Sequence, residues 1–140
     1  VKNQINKDNL SILITHDEFH IQNGEIISRL RYGYSDQNIY ENLLFKGNAL
    51  STSAVCVKTE IAIKSGGFSE NINLITVEDY EYWIRLSKLG RFIFIDEVLG
   101  EWHTHNQNYS SNVEIHANAL LYAKLKLEAC FIAFSEGGTP

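Results

Sequence analysis

The 140 residues are 44% hydrophobic and 21% charged, the balance of a folded globular chain rather than of a disordered tail. A net charge of −5, with no run of Lys or Arg, excludes a nucleic-acid or anionic-membrane surface built on positive charge. No apolar stretch approaches the ~20 residues that span a bilayer, and the polar start Val1-Lys2-Asn3-Gln4 is not a signal peptide. Cys56 and Cys130 have no Cys or His at metal-knuckle spacing, so they read as small buried hydrophobes in a reducing compartment. The chain has no Met, position 1 included, and this leads us to expect a piece of something longer.

After a polar stretch over residues 1–9, Ser11–Ile21 opens with Ile12, Leu13 and Ile14 and reads as a strand. Asn23-Gly24 marks a tight hairpin turn, and Glu25–Tyr32 returns as a second strand with Ile26, Ile27 and Leu30 as its apolar residues. Ser35-Asp36 precedes a short helix over Ile39–Phe45, closed by Gly47. Ala49–Val57 is rich in small and β-branched residues and predicts a buried strand. A one- to two-turn helix follows over Thr59–Lys64 and stops at Ser65-Gly66-Gly67.

The loop after these glycines leads into a helix over Val77–Leu89, whose broad apolar face is Val77, Tyr80, Trp83, Ile84 and Leu86, with Gly90 ending it. Arg91–Ile95 is a compact strand, Asp96-Glu97 a break, and Val98–His105 a further extended segment. An uncharged loop rich in Asn and Ser separates this from the longest helix, residues 113–134. Its tail, Ala129–Phe134, is apolar all round and predicts packing against a partner or a second copy. The mixture predicts an α/β or α+β chain: a mixed sheet with flanking helices, read as one partial domain over residues 1–140.

The stretch Gly66–Gly90 organises the rest. It delivers the adjacent carboxylates Glu78 and Asp79 to the first turn of a helix, a position from which an acid or base can face a cleft. The plainer alternative is a capping box, in which the Thr76 hydroxyl and the Asp79 carboxylate satisfy the orphan N–H groups of the helix start. Acids there also answer the helix dipole. Downstream, His103 and His105 alternate along an extended segment and so share a face, as a metal pair would. A rim histidine bonded to loop backbone fits the same pattern.

Four pieces in order, Gly47-Asn48-Ala49-Leu50-Ser51-Thr52-Ser53, Gly66-Gly67-Phe68-Ser69-Glu70, Val77–Leu86 (VEDYEYWIRL) and His103-Thr104-His105-Asn106, together resemble the acceptor-side half of a family 2, GT-A-type glycosyltransferase. The resemblance covers about residues 10–112. It implies the C-terminal part of a nucleotide-diphospho-sugar transferase fold and an inverting transfer from a nucleotide-sugar donor to a saccharide or other hydroxyl acceptor. In that pattern Asp79 matches the catalytic base and Glu78 its neighbour at the acceptor site. Asn48 and Ser51 are candidates to line the acceptor cleft, and Trp83 and Trp102 to stack on sugar faces, although a Trp on an apolar helix face is usually core and a strand-end Asn often bonds its own turn. His105 matches a histidine that reaches the metal or the diphosphate. Arg85 is expected to pair with a nearby acid.

The family's Asp-x-Asp pair, which holds a divalent metal (Mn²⁺ or Mg²⁺) and the diphosphate, is absent from this sequence; His16-Asp17-Glu18 is the nearest acidic cluster. The resemblance therefore implies a fragment that is inactive alone, binds no metal by itself and self-associates. The parent would work in the cytoplasm or at the inner face of a membrane. A non-catalytic carbohydrate- or partner-binding module, or a structural domain in which residues 76–79 only cap a helix, are the competing readings.

Overall fold

The computed structural model describes residues 10–33, 38–104 and 113–135, with side chains of the last helix described as far as Lys126. His105 and the side chains of Ala129–Phe134, Cys130 among them, lie outside the described residues. The architecture is mixed α/β: a four-stranded mixed sheet flanked by helices.

The central strand β1 (Ser11–Gln22) is the element every other strand touches. Asn23 and Gly24, at φ +53° and +82°, turn it into β2 (Glu25–Leu30), as a primed two-residue hairpin turn requires. β2 runs antiparallel along Glu18–Gln22, while the short β3 (Val55–Val57) runs antiparallel along Leu13–Thr15. The opposite edge of β1 is taken along its whole length by β4 (Arg91–His103), in parallel. Asp96-Glu97 does not end the strand as predicted. His16 pairs with Ile95 and Asp17 with Val98, so the two acids form a bulge within one continuous strand.

Ala49–Val57 is corrected more heavily. Only Val55–Val57 is strand, and Thr52–Ala54 is a 3₁₀ turn. The side chains explain it: the Asn48 carboxamide accepts from the Leu50 N–H at 3.0 Å, and the Ser51 and Ser53 hydroxyls meet at 2.8 Å. Such local bonds compete with a sheet ladder. Cys56 consequently sits on a short outer strand and is exposed, not buried.

Helices α1 (Ile39–Lys46), α2 (Thr59–Lys64), α3 (Glu78–Ser87) and α4 (Val113–Ser135) complete the fold. None of the described helices is long and apolar enough to cross a membrane. The core is centred on α3, whose Tyr80, Trp83, Ile84 and Leu86 pack with Leu13, Leu43, Leu44, Leu50 and Leu74. Ala119 and Ala123, one turn apart on α4, are buried in the same cluster, where their small size permits close approach. α3 is buried more fully than an amphipathic stripe would be: Glu81 is also inside, 1% exposed. By contrast Ile26 and Ile27 of β2 are exposed, although the sequence read them as apolar anchors.

Candidate functional site

α3 begins one residue later than its capping pattern predicts. Val77 is the N-cap and provides no side-chain bond. Thr76 instead adopts φ +76°, a left-handed conformation that costs a β-branched residue roughly 1–2 kcal/mol. Its hydroxyl is hydrogen-bonded to His116 Nδ1 of α4 at 3.0 Å. The capping box therefore does not form, because its hydroxyl is engaged with a residue forty positions away.

Asp79, freed from that role, uses both carboxylate oxygens elsewhere. Oδ1 accepts from the Tyr80 N–H at 2.6 Å, and Oδ2 accepts from the Thr52 hydroxyl at 3.1 Å. Burial raises the proton affinity of Asp79 above the ordinary 3.8; the Tyr80 and Thr52 bonds oppose this, and the charge of Glu78 adds to it. Desolvation thus outweighs the hydrogen bonds that act to lower this pKa. Glu78 is exposed and lines a cavity of about 190 Å³ with Ser69, Glu70, Asn71, Ile72 and Ile75.

The turn that carries Thr52 reaches a second acid. The Ser51 hydroxyl is hydrogen-bonded to Tyr32, and the Tyr32 hydroxyl donates to Glu18 Oε2 at 3.0 Å. Burial pushes the Tyr32 phenol up to about 12, Ser51 works against that, and Glu18 adds to it, so the phenol keeps its proton. Two adjacent residues of one hydroxyl-rich turn, Ser51 and Thr52, thereby join a buried carboxylate of the sheet to the half-buried carboxylate of α3.

Arg85 holds the flanking turn in place. Its Nε lies 2.9 Å from both oxygens of Glu81, and its two terminal nitrogens donate to the carbonyls of Ser65 and Gly67 at 2.7 Å each. Gly66 and Gly67 are both left-handed, at φ +79° and +66°, in the turn whose Ser65 and Gly67 carbonyls meet the planar cation. Lys126 of α4 approaches Glu81 at 3.4 Å. The expected acid partner of Arg85 is found, together with a role in fixing the glycine turn that pairing alone did not predict.

Other candidates separate. Asn48 spends its carboxamide on its own turn, as one of its two readings held. Trp83 is 2% exposed and packs against Phe68 and Tyr82, with centroids at 5.9 and 5.3 Å, so it offers no face to a sugar. Trp102 is 36% exposed, with its ring 4.8 Å from that of His20. His103 is exposed and paired with Glu101 at 2.9 Å. Among the described residues no cluster of His, Cys, Asp and Glu fits a divalent ion.

Thr52, Tyr32 and His116 escaped the sequence reading. The Ser51-Thr52-Ser53 run was the available signal for the first, since three adjacent hydroxyls suit a turn better than a buried strand. Compared with known proteins, the chain matches no protein-family model and no curated protein.

Proposed function

We propose that this chain is the acceptor-side portion of a GT-A-type, family 2 glycosyltransferase, and that Asp79 is its general base. The observation that supports this most is the state of Asp79: a half-buried carboxylate with raised proton affinity, both oxygens oriented, at the opening of a helix. Such a group is more basic than a free carboxylate, and its ionised form suits abstraction of a hydroxyl proton. The acceptor O–H gives its proton to Asp79, and its oxygen attacks the anomeric carbon of the donor. The bond to the nucleoside diphosphate breaks with inversion, and Asp79 later releases the proton to water.

Donor binding on this reading falls to the nucleotide-binding half with its Asp-x-Asp, so the isolated chain is inactive. An assay for nucleotide-sugar hydrolysis or transfer tests that: turnover by the 140 residues alone would overturn the fragment reading. Calorimetric titration with uridine diphosphate and other nucleoside diphosphates, with and without Mn²⁺, should show no binding to this chain. The exposed Ile26, Ile27 and Leu99 are then surfaces for self-association, and a strictly monomeric species by light scattering at high concentration speaks against it.

A second reading, a carbohydrate-binding module without catalysis, is favoured by Trp102, whose part-exposed ring beside His20 suits stacking on a sugar. It predicts that Trp102→Ala abolishes saccharide binding and Asp79→Asn leaves it intact.

A further inference from the structure

The Thr52 hydroxyl is the only side-chain group that the described residues place on the Asp79 carboxylate, at 3.1 Å from Oδ2; the other oxygen is held by backbone, through the Tyr80 N–H at 2.6 Å. An ionised carboxylate has about four lone-pair directions. The Thr52 hydroxyl and the backbone N–H groups of Tyr80 and of Asp79 itself take up part of that capacity and fix the plane of the group.

Thr52 is itself anchored. It opens a turn in which the Ser51 carbonyl accepts from the Ala54 N–H at 3.0 Å, and the Ser51–Ser53 hydroxyl pair closes the turn from the side. Ala54 is fully buried beneath it, while Thr52 is exposed. The hydroxyl thus projects from a pinned backbone towards the helix start, at a surface that a ligand can reach.

We propose that Thr52 is a positioning residue for Asp79: its hydroxyl sets the orientation of the carboxylate and favours the ionised form that accepts a proton. The proposal rests on the reading of Asp79 as the base for its catalytic meaning, but the contact it assigns stands on geometry alone. The donor direction follows from chemistry, since an ionised carboxylate only accepts. A protonated Asp79 is a weaker acceptor for the Thr52 hydroxyl than the carboxylate is, so the bond favours the ionised form and is weakened by protonation. The charged group acting on Asp79 from its own helix is Glu78; the Ser51–Ala54 turn brings no charge of its own, and His116 lies one step back, on Thr76.

The test is a ¹³C-carboxylate NMR titration of Asp79 in the 140-residue chain and in its Thr52→Val and Thr52→Ser variants. Val matches Thr in shape and removes the donor; Ser keeps the donor. Removing the hydroxyl should move the Asp79 midpoint to higher pH, and Thr52→Ser should restore the original midpoint, with the Glu78 midpoint little changed. A Thr52→Val midpoint equal to that of the parent chain overturns the proposal, as does a shift that Ser fails to rescue. Melting curves of both variants identify a shift that comes from general loosening, which also counts against it.

Transfer by the longer protein separates this from the functional reading. If Thr52→Val lowers kcat about tenfold with KM unchanged, and moves the acidic limb of the pH profile in step with the NMR midpoint, both hold. If the NMR shift is present and Asp79→Asn leaves transfer untouched, the base reading fails and the Thr52 contact survives.

Discussion

Of the three pairs of adjacent acids in the chain, Asp17-Glu18 and Glu78-Asp79 make the sharpest contrast, because one pair is on a paired strand and the other opens a helix. Strand alternation sends Asp17 and Glu18 to opposite faces of the sheet, where they are 4% and 1% exposed. Asp17 is fully engaged: Oδ2 takes Arg29 at 2.8 Å from Nε and 2.6 Å from Nη2, and Oδ1 takes the Tyr32 N–H at 3.1 Å. Arg29 bridges on to Asp96 in the β4 bulge. These acids tie β1, β2 and β4 together. On α3 Glu78 is exposed and Asp79 half-buried, its carboxylate held by the Thr52 hydroxyl and backbone N–H groups and paired with no cation among the described residues. Two acids of the same kind become a staple in one place and a candidate reactive group in the other, and the kind of partner decides which.

That contrast is open to attack, beginning where the effect is largest. Asp79→Asn should lower transfer by the longer protein by roughly 10²–10⁴-fold, the usual worth of a general base. Asp17→Ala should do little to transfer per folded molecule but lower the melting temperature by roughly 5–10 °C, because it strips the acceptor from a buried N–H and one carboxylate from Arg29. If Asp17→Ala melts normally while Asp79→Asn collapses the fold, the roles have been assigned the wrong way round.

The Asp79 substitution has a smaller, opposite effect on stability. Its folded proton affinity is raised, so the folded chain binds the proton more tightly than the unfolded chain does. Its favourable contribution is complete below the ordinary value of 3.8 and is lost as pH rises through the raised folded value. At pH 7 Asp79→Asn removes the burden of a half-buried charge and should melt slightly above the parent; at pH 3 the gap should close. A variant that melts lower at pH 7 would place Asp79 with the structural acids. Smallest of all is the strained residue upstream. Thr76→Gly loses the His116 bond but relieves the left-handed backbone, whereas Thr76→Val loses the bond and keeps the strain. Urea unfolding should find the Val variant less stable than the Gly variant by about 1–2 kcal/mol.

What could be read from the sequence was what is decided locally. Asn23-Gly24 specifies its own turn through positive φ, and the bounds of β1, α1 and α2 follow from hydrophobic pattern and breakers. The i,i+4 pairing of Glu81 and Arg85 is equally local. The misreadings occur where distant residues intervene. Thr76 looks like a cap until His116 claims its hydroxyl, and the burial that raises the proton affinity of Asp79 comes from residues distant in sequence. Ala49–Val57 looks like a strand because its β-branched residues hide a run of hydroxyls that turns the chain. The Asp79–Thr52 contact joins positions 27 apart, and no spacing rule reaches across such a gap.

The parallel pairing of β1 with β4 has a consequence for how the chain is made. Ser11 meets Arg91 and Ile21 meets His103, so the central strand waits for its longest partner until β4 has left the ribosome. The hairpin with β2 closes early and locally, and β3 can follow it on the same edge. The other edge of β1 meanwhile presents a row of unpaired peptide groups beside Leu13 and Ile14. That interval is when another nascent copy can add a strand and send the product into aggregates. Slower translation after residue 60 lengthens the interval. Yield of recoverable protein should therefore depend on elongation speed and on holdase chaperones more than on the equilibrium stability of the finished fold.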